Sequence, residues 1–488
     1  MNKLFSTLLK ARPSLTHLPR RYFAPGQKSI QLDDPYTGEI IDEIPFTTLE
    51  DQQSLLLRSR QAYRNFRSTT VPDRIKLVKN IADYFRENKE QVATEITRTM
   101  GKPIVQSREE VDYAVERTEV LMGMAEEALR PEMVSKTSNI SKSVIREPIG
   151  TVLILSSYDF PVISIVNHLV PAILCGNSCM LKDNPRAPLI SKHFENALSG
   201  SDLALRLFAS QENVKQLYTS HEINYVVFMG SLQSAHDVYT EVAQNDFIDV
   251  QLDLGGKDAA YVAGDCDVEL TVQTLVKGAF YNTGQSRNSI QRIYVHKDIS
   301  GDFINQFSKK AFDELKLGNP LLDTTNIGPM AILEHVEELQ EVIEDAVSMQ
   351  GLTILGGTPN TDEHGLGRFF EPTIIANANN GMRAQSDQFF GPLVTFQDVE
   401  NDKQAIELIN SSKYGIQSSV FTQCQDRVDL FSEKLRVGVV NVNQCPRMQD
   451  HYLPVTGRKV CQKILYNSRH AFDNFTKLKS LNIRLDGK

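Results

Sequence analysis

Between Thr48 and Leu129 apolar residues recur every three or four positions, the spacing of one buried helical face. Leu55, Leu56, Leu57, Ala62 and Phe66 form one stripe, and Ile75, Val78, Ile81 and Phe85 form a second behind Pro72, a residue suited to a first helical turn. Val111, Val115, Met122 and Ala125 form a third, which stops before Pro131. From Ile149 the pattern changes to short β-branched runs alternating with helices. Residues 150–155 read as a buried strand, 162–175 as a helix ended by Gly176, and 178–181 and 225–228 as further strands. A second strand–helix series starts at 259–262 and runs to about Gln444, and 481–485 alternates as a half-buried strand does. Such alternation predicts parallel sheets covered by helices on both faces, and hence two packed α/β domains.

Composition narrows the class. The chain has 488 residues, 41% of them hydrophobic and 23% charged, with a formal charge of −9. This is enough apolar material for real cores, and the net acidity argues against a nucleic-acid partner. The longest apolar runs, 151–155 and 162–174, are short or interrupted by Ser, Asn and His, below the roughly 20 residues that a transmembrane helix needs. Six cysteines, at 175, 179, 266, 424, 445 and 461, make neither a disulfide framework nor a zinc pattern, so no metal site is expected. Cys175 and Cys179 read as core packing, and His335, next to Glu337 and Glu338, reads as a solvated residue on a polar helix face.

The first residues differ from all that follow. No Asp or Glu precedes Asp33, while Lys3, Lys10, Arg12, Arg20, Arg21 and Lys28 are basic and Leu4, Phe5, Leu8 and Leu9 share one helical face. That is the makeup of a mitochondrial transit peptide over 1–23, with Arg21-Tyr22-Phe23-Ala24 resembling a processing site. A matrix or matrix-facing location follows as an expectation; a disordered basic tail is the bland alternative.

A dozen short motifs in register then carry a resemblance. They include Glu147-Pro148-Ile149-Gly150, Phe160-Pro161, Gly176-Asn177, Lys182, Phe228-Met229-Gly230-Ser231 and Leu252-Asp253-Leu254-Gly255-Gly256-Lys257. Further on come Asn282-Thr283-Gly284-Gln285, Leu317-Gly318-Asn319-Pro320, Phe390-Gly391-Pro392 and Val440-Asn441. From about residue 30 onward the chain resembles the aldehyde dehydrogenase superfamily. The resemblance implies an α/β fold with a Rossmann-like dinucleotide-binding domain over 30–137 and 149–258 and a catalytic-type α/β domain over 259–460. It also implies small oligomerisation strands at 138–148 and 477–488, NAD or NADP as cofactor, and a homo-oligomer.

The motif residues themselves break the family's chemistry. Where the resemblance places a nucleophilic cysteine stands Arg287, permanently protonated and without a lone pair to give a carbonyl. Where an asparagine amide steadies the oxyanion stands Asp159, an acceptor whose charge at ~4 Å opposes an oxyanion by roughly 4 kcal/mol at an effective dielectric near 20. The general-base position holds Asp253, one methylene shorter than the usual Glu. Tyr158 replaces the Trp of the same motif, and Gln388 replaces the carboxylate that holds the nicotinamide ribose. Cofactor positions are better kept: Lys182 matches the ribose lysine, and Gly230 and Ser231 match the pyrophosphate turn at a helix N-terminus. Dinucleotide binding is thus equally compatible with retention and with loss.

Arg287 and the two aspartates vary in a complementary way, so Arg287 is expected to pair with Asp159, Asp253 or both; the bland alternative points it elsewhere. Cys445 is the one other cysteine near the implied substrate tunnel. The sequence therefore predicts a catalytically inactive member with a structural or regulatory role in a mitochondrial assembly. An active succinate-semialdehyde-type NAD(P) enzyme and a non-catalytic dinucleotide sensor are the alternatives.

Overall fold

The computed structural model describes residues 28–445 and 448–485; the basic leader expected over 1–23 lies outside the described residues. The expected helices form at Leu49–Phe66, Val71–Glu87 and Ile104–Ala128. Thr48 and Thr70 cap the first two by accepting the N–H groups of Asp51 and Asp73, with Pro72 in the first turn of the second. A further helix that the stripes do not announce, Lys89–Met100, ends at Gly101 with φ 78°. Val78, Ile81, Phe85, Val111, Val115 and Ala125 all enter one core, whereas Leu57 does not: it is 64% exposed on the far side of its helix.

The strand–helix series becomes two separate sheets. In the first, all-parallel sheet the strands lie in the order Ala204–Leu207, Ser178–Lys182, Thr151–Leu155, Tyr225–Gly230, Asp249–Leu254. In chain order this is 3-2-1-4-5, the doubly wound arrangement whose direction switches between Thr151–Leu155 and Tyr225–Gly230. Ligands of such sheets bind in the crevice outside the carboxyl ends of the strands at that switch. Ser157, Tyr158 and Asp159 follow the first of these strand ends, and Ser231 the second. The second sheet runs Leu352–Leu355, Thr373–Ala376, Leu393–Val399, Ile290–His296, Asp258–Val262, Gln417–Phe421, Val439–Val442, parallel except for its first pair. Strand Asp249–Leu254 ends in the first sheet, and Asp258–Val262 starts in the second four residues later, so the carboxyl edge of the first sheet meets the amino edge of the second there.

A third sheet pairs Thr476–Arg484, Ile140–Pro148 and Glu132–Lys136 antiparallel. Its last strand is not the half-buried one that alternation over 481–485 suggests. Ile483 is 43% and Leu485 71% exposed, so among the described residues the outer end of this strand stays open. Among the described residues no helix is long and apolar enough to cross a membrane.

Candidate functional site

Three consecutive left-handed residues begin the loop that carries Arg287: Asn282 at φ 54°, Thr283 at φ 57° and Gly284 at φ 65°. Asn tolerates this conformation, but a β-branched Thr does so only when its surroundings hold it. Here they do. Asn282 Nδ2 donates to the Asp159 carbonyl at 3.1 Å and to the Gln285 carbonyl at 2.8 Å. Thr283 exchanges hydrogen bonds with the Gly328 backbone, and Gln285 Oε1 accepts the Ala331 N–H.

This clamped turn sends Arg287 across to the first sheet. Its Nε lies 3.3 Å from Asp159 Oδ2 and its Nη1 2.8 Å from Asp253 Oδ2, with a further bond of 3.2 Å from Nη1 to the Asp253 carbonyl. The arginine side chain is 12% exposed and the aspartates 3% and 4%. The pairing expected from the sequence is therefore formed with both partners, and the bland alternative is set aside. An arginine left alone at this depth would be strongly unfavourable; two carboxylates satisfy it.

The carboxylates are not equivalent. Burial raises Asp159, but Arg287 and a 2.6 Å hydrogen bond from Ser157 Oγ outweigh it and hold the group below the ordinary carboxylate range. At Asp253 burial outweighs Arg287 and leaves the group above its ordinary value. The two shifts oppose each other although one guanidinium serves both, because only Asp159 has the extra hydroxyl donor and the nearby Lys102 ammonium. Burial lowers Arg287 and the two carboxylates raise it further, so it stays protonated. One expectation changes in emphasis: the Asp159 charge, read as repelling an oxyanion, is neutralised by Arg287.

Around this centre lie residues that the sequence did not flag. Lys102 and Glu110 form a fully buried ion pair. Lys102 Nζ also donates to the Asp159 carbonyl at 2.9 Å and sits 4.0 Å from the Phe160 ring centroid. Glu110 Oε1 accepts the N–H groups of Val162 and Ile163 at the start of helix Pro161–Leu174, where a carboxylate complements the helix dipole. No one-dimensional pattern marks this pair. His168, by contrast, was visible as a polar residue within an apolar run. It lies in a helix buried along its whole length, neither ring nitrogen has a hydrogen-bond partner, and burial together with Arg287 lowers it to about 3.

His335, expected on a solvated face, is half-buried. Its helix packs it against Tyr158 and Phe390, its Nδ1 lies 3.3 Å from the Tyr158 hydroxyl, and burial lowers it to about 4. Of the expected cofactor residues, Lys182 ends its strand, and burial lowers its amine to about 8. Ser231 caps helix Leu232–Asn245 by accepting the Ser234 N–H, and the Phe228 ring comes within 2.7 Å of where a Cβ at Gly230 would lie. The Gln388 amide rests on the backbone of Gly255.

Two cysteines lie in or near segments that border this region. Cys445 packs against Gly278, and burial pushes its thiol up to about 12. Cys461 lies closer to the centre, donating to the Gly255 carbonyl at 3.3 Å, and burial pushes it up to about 11. Cys175 and Cys179 lie in the core, as expected. Among the described residues no three His, Cys, Asp or Glu side chains cluster as a metal site.

Comparison with known proteins agrees with this architecture. The chain is 28% identical over 414 residues to the NAD(P)+ succinate semialdehyde dehydrogenase Sad of Escherichia coli K12, covering 84% of this chain and 88% of that protein. It is 26% identical to a lactaldehyde dehydrogenase of Methanocaldococcus jannaschii, covering 94% and 98%. Among solved structures, glyceraldehyde-3-phosphate dehydrogenase GapN of the same archaeon, complexed with NADP, superimposes with a TM-score of 0.87 at 26% identity over 94% of this chain and 100% of that one. Betaine aldehyde dehydrogenase of Staphylococcus aureus in complex with NAD+ gives a TM-score of 0.88 at 25% identity, covering 97% and 98%. The model of the aldehyde dehydrogenase family matches residues 22–481, nearly the whole length, and the chain belongs to that family.

Proposed function

We propose that this protein is a catalytically inactive aldehyde dehydrogenase family member, retained for a structural or regulatory role in a mitochondrial assembly, as a homo-oligomer or as a subunit of a larger complex. One observation carries the reading: a guanidinium, held by two buried aspartates, occupies the position from which a thiolate would attack. It offers no electron pair, so no thioester forms there and hydride release has no precursor. The mitochondrial part rests on the acid-free, basic and amphipathic first 23 residues.

The names of the curated relatives favour a second reading, an active succinate-semialdehyde-type NAD(P) enzyme. It requires a thiolate from elsewhere, and burial pushes the Cys445 and Cys461 thiols up to about 12 and about 11, which favours the protonated form at neutral pH. A third reading, a dinucleotide sensor without chemistry, shares the same dead centre.

NAD+ and NADP+ reduction with a panel of aldehydes tests the proposal, with co-purification from mitochondria as its second arm. The expected result is no aldehyde-dependent reduction and recovery within a larger particle. Turnover that Cys445→Ser abolishes would establish the enzyme instead. Arg287→Cys alone is expected to stay inactive, because removing the guanidinium restores the unpaired Asp159 charge against the oxyanion.

A further inference from the structure

A concave site also lies at the opposite edge of the first sheet. Strands Thr151–Leu155 and Tyr225–Gly230 are neighbours, and a cavity of about 220 Å³ opens beside Thr151 and Asn224, where the two begin. A five-residue strand rising ~3.3 Å per residue puts it roughly 17 Å from the carboxyl edge that leads to Asp159, so it is separate from the site described above.

Its donors come from a helix and from the segment that precedes the second of these strands. Helix Leu49–Phe66 supplies Arg60 and Arg64, four positions apart and hence on one face. Arg60 is paired with Glu222, whereas Arg64 has no ion pair or hydrogen bond among the described residues. Two guanidiniums against one carboxylate leave the lining positive, and like charges at this spacing repel each other until an anion joins them. Asn224 Oδ1 accepts the Thr151 N–H at 2.8 Å, which fixes the amide and leaves its Nδ2 to donate. His221, on the rim, has its Nδ1 3.1 Å from Asp246, so that carboxylate is taken up outside the cavity.

Size narrows the ligand. The volume is that of about seven liquid waters at ~30 Å³ each, below the ~300–1,000 Å³ of pockets that enclose drug-sized ligands. A whole nucleotide is too large. A tetrahedral oxyanion fits, and a short carbon body can leave past Arg64 and Asn224, which are both exposed. Guanidinium forks match phosphate oxygens, and a phosphomonoester carries nearly two negative charges at neutral pH, enough to bridge two arginines.

We propose that this cavity binds a phosphate group, as free phosphate or as a small phosphomonoester, with Arg64 as its principal cation.

Titration calorimetry of the full chain in phosphate-free buffer with inorganic phosphate, glycerol 3-phosphate, succinate and glycerol tests the proposal. Phosphate and glycerol 3-phosphate are expected to bind, succinate about tenfold more weakly or less, and glycerol not at all. Tighter binding of glycerol 3-phosphate than of phosphate supports the site as one for an ester; equal or weaker binding supports it as one for the free ion. Arg64→Gln is expected to weaken both about tenfold or more. Its melting temperature should match that of the native chain, because Arg64 is exposed and unpaired, so the loss is one of binding and not of folding. Arg58→Gln removes the same charge from the same helix, at a residue that pairs with Asp202 and does not line the cavity, and should leave binding unchanged. The proposal is overturned if neither phosphate compound binds, if binding survives Arg64→Gln, if Arg58→Gln weakens it equally, or if succinate binds as tightly.

Discussion

Arg287 anchors two buried carboxylates at once. Its worth is best measured by leaving its partners behind. Arg287→Ala strands Asp159 and Asp253 in a buried setting and is expected to cost about 3–5 kcal/mol in denaturant unfolding. Arg287→Met combined with Asp159→Asn and Asp253→Asn removes all three charges and should recover most of that loss, to within about 2 kcal/mol of the native chain. If the triple variant is as weak as the single one, the triad is not the source of the stability. His168 adds a pH dependence. Its folded value, about 3, lies below the unfolded value of 6.5, so the unfolded chain binds a proton that the folded one refuses. Stability is then fully present above pH 6.5 and is lost as pH falls toward 3, at up to about 1.4 kcal/mol per pH unit. His168→Leu lacks this contribution. Relative to the native chain its unfolding free energy should improve by about 2 kcal/mol between pH 6.5 and pH 5; parallel pH profiles would exclude a neutral buried histidine.

At the scale of elements, position is set by two fixtures, the left-handed turn 282–284 and the helix Pro161–Leu174. Gly284 combines φ 65° with a close approach to the Gly391 carbonyl, so an added methyl meets both strain and backbone. Gly284→Ala is expected to destabilise by more than about 2 kcal/mol and to loosen the loop that presents Arg287. Gly123, inside helix Ile104–Ala128, meets nothing within 4 Å. Gly123→Ala should instead stabilise by about 0.5–1 kcal/mol, since helix propensity is all that changes. Thermal melts of the pair separate conformational need from mere presence of glycine. The second fixture explains a residue pair that no periodicity marks. Glu110 holds the N-terminus of helix Pro161–Leu174 while Lys102 neutralises it and grips the Asp159 carbonyl, so the strand end carrying Asp159 is fixed from behind.

For the whole molecule, the triad ties one sheet to the other: Asp159 and Asp253 come from the strand ends of the first, Arg287 from the loop entering the second. Breaking it should be felt on both sides. In Arg287→Ala, amide hydrogen exchange is expected to quicken at residues 156–160 and 252–256 as well as in the 282–289 loop. Acceleration confined to the loop would mean that the sheets hold together without the guanidinium. Two further contacts belong to the same interface, Gln388 against Gly255 and Phe390 against Tyr158, the first residue of each pair arriving from the second sheet and the other from the first.

The sequence by itself determined the alternation of strands and helices, the two-sheet plan and the identity of the three side chains at the centre. These depend on local periodicity and on which atoms a residue carries, and both are written along the chain. It also foresaw that Arg287 would need carboxylate partners, because an unpaired buried cation is unfavourable in any fold. Only the tertiary structure decided that both aspartates share it and that their proton affinities diverge. The same holds for Lys102 and Glu110 standing behind Asp159, and for His335 packing against the rings of Tyr158 and Phe390. Each of these depends on residues tens to hundreds of positions apart coming within a few ångströms. Leu57 and the last strand show the same limit from the other side: an apolar stripe marks a face that could be buried, and the neighbours that the fold supplies decide whether it is.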